Sequence, residues 1–143
     1  MTQQPIVEKS IEIAATPDRV WRVLTEPDQV VQWMNGAHVE STWEAGSDMT
    51  FTWIANFDKT VHDRATLLAI ERGKFLQYSH WSGLSLLPDK VENRTLMTFS
   101  LEPMDGGTLL TVRNENFESD VAYKHANFFW SVAVAMVKKV AEQ

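Results

Sequence analysis

Asp63 is a polar residue that falls on the apolar face of a predicted strand, where a carboxylate can act away from bulk water. It alternates with Val61, Ala65 and Leu67, so the two-residue period of a strand places its side chain on the buried side. Burial raises the pKa of a carboxyl group and makes it a candidate general base. The alternative is a solvated carboxylate near the start of a strand.

Asn114 continues the apolar face formed by Leu110 and Val112 on the last predicted strand. A buried amide without hydrogen-bond partners costs about 1–3 kcal/mol, so this side chain needs a partner. One interpretation is that it binds a carbonyl or hydroxyl group of a ligand. The other is an amide at a strand end that is satisfied by the backbone or by water.

The stretch KFLQYSHW at 74–81 leaves two alternatives, because both of its faces are apolar. If Tyr78 and His80 face inward, they form a possible acid–base pair. If they do not, His80 is a histidine whose hydrogen bonds are made within the protein, on an aromatic strand face. Asp63, Tyr78 and His80 are therefore the candidates for catalysis. The two alternative inward sets are Phe75, Gln77, Ser79 and Trp81, or Leu76, Tyr78 and His80.

Metal and cofactor sites are not expected. The chain has no cysteine, and its four histidines are scattered, without the i, i+4 helical spacing or the H-x-H strand spacing of a metal site. It contains no P-loop, no G-x-G-x-x-G and no G-x-S-x-G motif. We therefore expect neither a metal ion nor a cofactor.

The elements that position these residues follow from the periodicity of the sequence. A half-buried strand at 6–15 precedes two short helices, at 17–24 and 27–34, and alternation with a period of two then continues to residue 117. A helix from about 120 to 140 ends the chain. The six strands predicted between the helices are 38–45, 48–57, 60–71, 74–81, 91–103 and 108–117.

The terminal helix is apolar over a wide arc that includes Ala126, Trp130, Ala133 and Val137. Such a helix must be enclosed on more than one side. A curved antiparallel sheet wrapped around it provides that enclosure, which predicts the α+β class. The two alanines flank the tryptophan and leave space beside it.

Four stretches carry a resemblance to a known family: IEIAATPDRVWRVLTEPDQVVQWM (11–34), ATLLAIERGKFLQYSHW (65–81), LMTFSLEPMDGGTLLTV (96–112) and HANFFWSVAVAMV (125–137). The sequence resembles the SRPBCC superfamily of START and birch-pollen-allergen-like proteins, and within it the heat-shock-protein-90 ATPase activator homologues. This resemblance implies a helix-grip fold in a single domain over 1–143. In that fold a seven-stranded curved antiparallel sheet wraps around a long C-terminal helix, and two short helices follow the first strand.

The resemblance also implies a cavity between the concave sheet face and the terminal helix. The favoured function is binding of a small hydrophobic molecule there, lipid-like, aromatic or polyketide-like. One alternative is an enzyme of the polyketide cyclase or dehydratase type that uses polar cavity residues. Another is a stress protein that activates the heat-shock-protein-90 ATPase. The expected lining is Trp33, Phe51, Trp53, Tyr78, Thr95, Met97, Asn114, Ala126, Trp130, Ala133 and Val137.

Charge and composition restrict the partners. Nineteen acidic against 13 basic residues give a net charge of -6, which repels phosphate backbones and anionic lipids, so no nucleic acid is expected. The start MTQQPIVEKS lacks the features of a secretion signal. The uncharged run before Lys138 is shorter than the roughly 20 residues of a membrane span. We predict a cytoplasmic protein, with a homodimer left open.

Overall fold

Alternation of apolar and polar residues produces one seven-stranded sheet within residues 5–143, which the computed structural model describes. Residues 1–4, part of the start interpreted above as lacking a secretion signal, lie outside the described residues. Neighbouring strands are all antiparallel, in the order β1-β7-β6-β5-β4-β3-β2. The strands are β1 (Val7–Ile13), β2 (His38–Glu40), β3 (Asp48–Ala55), β4 (Lys59–Glu71), β5 (Phe75–Trp81), β6 (Thr95–Met104) and β7 (Gly107–Glu115).

Three α-helices accompany the sheet in this part of the chain: α1 (Pro17–Thr25), α2 (Pro27–Trp33) and α3 (Asp120–Ala141). Thr16 caps α1 by accepting the Arg19 N–H at 3.1 Å, and each short helix begins with a proline, whose missing N–H is not needed there. None of the three combines the length and hydropathy of a membrane-spanning segment. The predicted order of strand, two short helices, six strands and long helix is confirmed.

Backbone conformation explains where the strands depart from their predicted bounds. The strand predicted at 38–45 is only the three-residue β2, and Trp43 beyond it has a φ of 58°. The strand predicted at 91–103 starts at Thr95, after a short 3₁₀ helix at Val91–Asn93. β7 ends before Asn116, whose φ is 66°. A positive φ does not fit an extended strand, so pairing ends at such positions.

The core lies between one face of the sheet and the helices. Trp130 of α3 packs against Phe99 of β6 and Trp33 of α2, with ring centroids 5.7 Å and 6.2 Å apart. In β4 the pairing register shifts between Leu67 and Ala69. A bulge of this kind bends a strand, which helps the sheet curve around α3.

Candidate functional site

A cavity of about 580 Å³ remains between the inner face of the sheet and the N-terminal half of α3. Consecutive strands present their lining side chains in rows. Tyr78 lies opposite Met97, and Met97 lies opposite Asn114. The neighbouring row pairs His80 with Thr95. Because residues two apart on a strand share a face, both rows point into the same space.

Most of the residues expected to line a cavity lie around this one, on β3, β5, β6, β7 and α3. Their shared feature is an inward position on a strand or on the first three turns of α3. They are Phe51, Trp53, Tyr78, Thr95, Met97, Asn114, Ala126 and Trp130.

Trp33, Ala133 and Val137 do not line this cavity, which corrects the prediction. The Trp33 indole Nε1 donates to the Val23 carbonyl at 2.7 Å. Ala133 and Val137 are only 2% and 1% exposed and belong to the close-packed core. The C-terminal half of α3 packs directly on its neighbours, so free space remains only beside its N-terminal half.

The inner face of β5 carries Leu76, Tyr78 and His80, which decides between the two alternatives for this strand. Leu76 and Tyr78 are buried, and His80 lines the cavity. The opposite face carries Trp81, whose Nε1 donates to the Leu87 carbonyl at 3.1 Å. It also carries Ser79, whose Oγ accepts from Arg94.

Asp63 and His80 form a hydrogen-bonded pair in the cavity wall. The Nε2 of His80 lies 3.0 Å from Oδ2 of Asp63. The other carboxylate oxygen, Oδ1, accepts the Gly83 N–H at 2.8 Å and the Trp53 indole N–H at 3.3 Å. Three donors thus converge on one carboxylate. The Asp63 side chain is 13% exposed and that of His80 is 26% exposed, so the histidine is the more accessible partner.

The environment of Asp63 favours its ionised form. Desolvation by burial raises the pKa of this carboxyl group, but the hydrogen bond and charge of His80, the Gly83 N–H and the Trp53 indole outweigh it and hold the pKa below 3.8. The predicted raised pKa of Asp63 is therefore wrong, because the sequence indicated the burial and not the donors. Nε2 of His80 donates to ionised Asp63, and Nδ1 is then an acceptor when the ring is neutral and a donor when it is protonated.

Gly83 owes its place beside Asp63 to its lack of a side chain. A Cβ at this position would lie 2.4 Å from the His62 carbonyl oxygen and 2.7 Å from the Val61 side chain. Any larger residue would push the chain away from β4. The glycine therefore allows its N–H to reach the carboxylate.

Tyr78 and Asn114 add uncharged polar groups to the wall. Burial, with a smaller contribution from the charge of Asp63, raises the pKa of Tyr78, so its hydroxyl stays protonated. The Nδ2 of Asn114 donates to the Leu96 carbonyl at 3.2 Å. Within residues 5–143, neither the Tyr78 hydroxyl nor Oδ1 of Asn114 has a hydrogen-bond partner. Both groups are therefore available to a ligand.

The mouth of the cavity is made of loops and the start of α3, which strand parity could not predict. One side is the loop between β5 and β6, held to the sheet by Arg94, which donates to Asp89 at 2.8 Å and 3.0 Å. The helical spacing of Ala122, Ala126 and Phe129 was a signal for the α3 side. Lining residues outside the predicted set include Met34, Asn35, Ala37, Leu84, Ser85, Phe117, Ser119, Val121, Ala122, His125 and Phe129.

Among residues 5–143 no three His, Asp or Glu side chains come close enough together to bind a metal ion. Asp63 and His80 are a pair without a third ligand of this kind. Asp63 and His80 can supply hydrogen bonding and proton transfer to the cavity.

The family of this chain follows from a match over most of its length. The sequence pattern of the AHSA1 family, described as "Activator of Hsp90 ATPase homolog 1-like protein", matches residues 14–142. The chain belongs to this family. The resemblance stated from the four stretches is thereby confirmed, and the family lies within the SRPBCC superfamily of helix-grip proteins.

Solved structures of related fold cover almost the whole chain. The protein ChR145 from Cytophaga hutchinsonii is 29% identical, with a TM-score of 0.81 over 97% of this chain and 94% of that chain. The Aha1 dimer from Colwellia psychrerythraea is 19% identical, with a TM-score of 0.74 over 96% of each chain. Ara h 8.0201 is 13% identical, with a TM-score of 0.73 over 99% of this chain and 100% of that chain.

These similarities confirm the helix-grip fold expected for the AHSA1-like family. A search of the curated proteins finds no match.

Proposed function

We propose that this AHSA1-like protein binds a small hydrophobic molecule in the cavity between the sheet and α3. The observation that carries the proposal is the unfilled volume of about 580 Å³, which lies within the range of about 300–1,000 Å³ typical of small-molecule sites. Aromatic side chains wall it, among them Phe51, Trp53 and Trp130. A few polar groups, from Tyr78, His80 and Asn114, can orient a ligand.

The mouth of the cavity carries exposed apolar side chains, which favour entry of a hydrophobic molecule. Leu84 on the loop between β5 and β6 is 49% exposed, and Val121 in the first turn of α3 is 77% exposed. Both also line the cavity. Apolar side chains at an entrance offer a hydrophobic ligand a continuous path from the surface to the interior.

Titration with N-phenyl-1-naphthylamine, an uncharged fluorescent hydrophobe, tests the proposal. We expect saturable binding of one probe per chain, a rise in probe emission and quenching of tryptophan emission, because Trp53 and Trp130 border the site. A signal that grows linearly without saturation, or no signal, would contradict ligand binding.

A second candidate function is proton-transfer catalysis of the polyketide cyclase or dehydratase type, favoured by the Asp63–His80 pair. His80 would take a proton from the substrate at Nδ1, while ionised Asp63 stabilises the resulting imidazolium. The protonated Tyr78 hydroxyl would donate to the substrate carbonyl. Turnover of a β-carbonyl substrate that survives Asp63→Asn unchanged would contradict this role.

Activation of the heat-shock-protein-90 ATPase is the third candidate, and its support is the family's description alone. Family membership gives a fold and does not by itself give an activity. The test is the ATPase rate of the chaperone with and without added protein. An unchanged rate at saturating protein would remove this candidate.

The homodimer left open by the sequence is also a proposal. Two apolar side chains lie on the outer face of α3, where Phe128 and Val132 are 74% and 50% exposed. The Colwellia protein is described as a dimer.

We expect sedimentation velocity to detect a dimer that Phe128→Glu converts to monomer, because burying a charge at an interface is costly. Ile54→Glu, at an exposed apolar residue of β3, is the control. A wild-type monomer at every concentration would contradict the dimer.

A single domain over 1–143 and a cytoplasmic location likewise remain proposals. The absence of a glycine- or proline-rich linker in the sequence supports the first. One cooperative unfolding transition and recovery in the cytoplasmic fraction are the expected results. Two separate transitions, or recovery in another fraction, would contradict them.

A further inference from the structure

Resting on the proposed function, we propose that the cavity selects an aromatic ligand that carries a hydrogen-bond donor and no negative charge. Phenols and aromatic amines belong to this class. Fatty acids, aromatic carboxylates and phosphate esters do not. Three features of the cavity favour this class: the charges of the lining residues, their free hydrogen-bonding atoms and the rings around them.

The charges of the lining disfavour an anion. Its carboxylates are Asp63 and Glu118, and among the described residues no lysine or arginine lines the cavity. An anion taken from water into an apolar site needs a positive partner to replace its hydration. Of the two lining histidines, His80 is already held by Asp63 at 3.0 Å, and His125 is exposed at the mouth, where water screens it. The chain as a whole carries a net charge of -6, which adds long-range repulsion.

The N-terminus of α3, whose positive dipole could have attracted an anion, is already compensated. Ser119 accepts the Ala122 N–H at 3.1 Å, which caps the first turn. Asp120 adds a carboxylate to that turn, and Glu118 lies beside it. The positive end of the helix therefore does not offset the acidic lining.

On the sheet side of the cavity, His80 and Asn114 offer free acceptors, whereas the free hydroxyl donors of Ser82, Ser85 and Ser119 lie at the mouth. His80 uses Nε2 toward Asp63, which leaves Nδ1 as an acceptor when the ring is neutral. Asn114 uses Nδ2 toward the Leu96 carbonyl, which leaves Oδ1. Only Tyr78 offers a free O–H among these three. A ligand that brings its own donor can satisfy these acceptors, whereas one without a donor leaves them unpaired on entering the site.

The rings of the wall favour a flat aromatic body. Phe129 and Trp130 meet edge to face with centroids 5.0 Å apart, and Phe51 lies 5.7 Å from Tyr78. These rings border the same space as the acceptors. Aromatic pairs at such distances add attraction beyond the area they bury, so a fused ring gains more here than a flexible chain.

Calorimetric titration at pH 7 with three matched naphthalenes tests the proposal: 2-naphthol, which has a donor, 2-methoxynaphthalene, which has none, and 2-naphthoate, which is an anion. We expect 2-naphthol to bind at least about tenfold more tightly than the methoxy compound, since unpaired acceptors are costly. We expect 2-naphthoate to be the weakest of the three, by about a further tenfold or more.

The variant Asn114→Leu tests whether the side chain of Asn114 causes the tighter binding of 2-naphthol. It should lower the affinity for 2-naphthol to near that for 2-methoxynaphthalene, because the acceptor Oδ1 is gone. The affinity for 2-methoxynaphthalene should stay the same. Retained binding of the methoxy compound shows that the variant is folded with its cavity intact. If Asn114→Leu does not fold, His80→Phe provides the same comparison at the other acceptor.

The outcomes separate this inference from the function it rests on. Equal or tighter binding of 2-naphthoate would overturn the exclusion of anions, and equal binding of 2-methoxynaphthalene would overturn the need for a donor. In both cases saturable binding would leave the proposed function standing. If none of the three compounds binds, the proposed function and this inference fail together.

Discussion

Replacing Ala126 by tryptophan should weaken ligand binding while leaving the protein folded. Ala126 lines the cavity from the second turn of α3, so an added indole occupies space that a ligand needs. We expect the affinity for N-phenyl-1-naphthylamine to fall at least about tenfold, equivalent to about 1.4 kcal/mol. Fluorescence titration measures the affinity, and urea unfolding measures the stability.

Two other alanines on the same helix are matched controls for Ala126→Trp. Ala135 is exposed, so Ala135→Trp should leave both binding and stability unchanged. Ala133 is 2% exposed in the core, so Ala133→Trp should lower the free energy of unfolding by about 1–3 kcal/mol or more through overpacking. Unweakened probe binding by a folded Ala126→Trp variant would contradict the position of the site.

Replacing Asp63 by alanine should destabilise the fold as well as alter the cavity. It removes the acceptor of the Gly83 N–H, the Trp53 indole and His80. Each buried donor left without a partner costs about 1–3 kcal/mol, and the partly exposed histidine can turn to water. We expect the free energy of unfolding to fall by about 2–4 kcal/mol.

The control for Asp63→Ala is Asp58→Ala, which makes the same change of charge at an exposed position in the turn between β3 and β4. It should change stability by no more than about 0.5 kcal/mol. Equal effects of the two substitutions would mean that the contacts of Asp63 add nothing to the fold.

The stabilisation from Asp63 should also depend on pH in a defined direction. The pKa of this carboxyl group is below 3.8 in the folded protein, so on acidification the unfolded chain takes up the proton first. Stability is therefore complete above about pH 5 and is lost as the pH falls through 3.8 toward the folded value. The stability difference between wild type and Asp63→Asn should shrink between about pH 5 and pH 3. A difference that grows over this range would contradict the assignment.

The strands could be predicted well from the sequence because their period of two is a direct consequence of backbone geometry. That parity placed Phe51, Met97 and Asn114 on the inner face, where the structure has them. It could not decide the face of β5, since both sets of side chains there are apolar. It also could not place His80 beside Asp63, because that contact depends on the register between β4 and β5.

Helical periodicity predicted which arc of α3 faces inward, but it carries no information on where along the axis the space remains. Ala126, Ala133 and Val137 lie on the same arc of the helix, but of these three only Ala126 borders the cavity. The contacts of Gly83 with Asp63 and of Arg94 with Asp89 come from a loop, which has no period. The raised pKa predicted for Asp63 is wrong because its donors depend on the register that brings His80 beside it and on the loop that supplies the Gly83 N–H.

The central claim is that a small aromatic molecule occupies the space between the sheet and α3, and a crystal structure with 6-bromo-2-naphthol tests it most directly. The anomalous signal of bromine reports the position of the ligand without reference to the surrounding side chains. We expect one bromine peak inside the cavity bordered by Phe51, His80 and Trp130. A cavity filled by the protein's own rings, with bromine only at the surface or nowhere, would contradict the account.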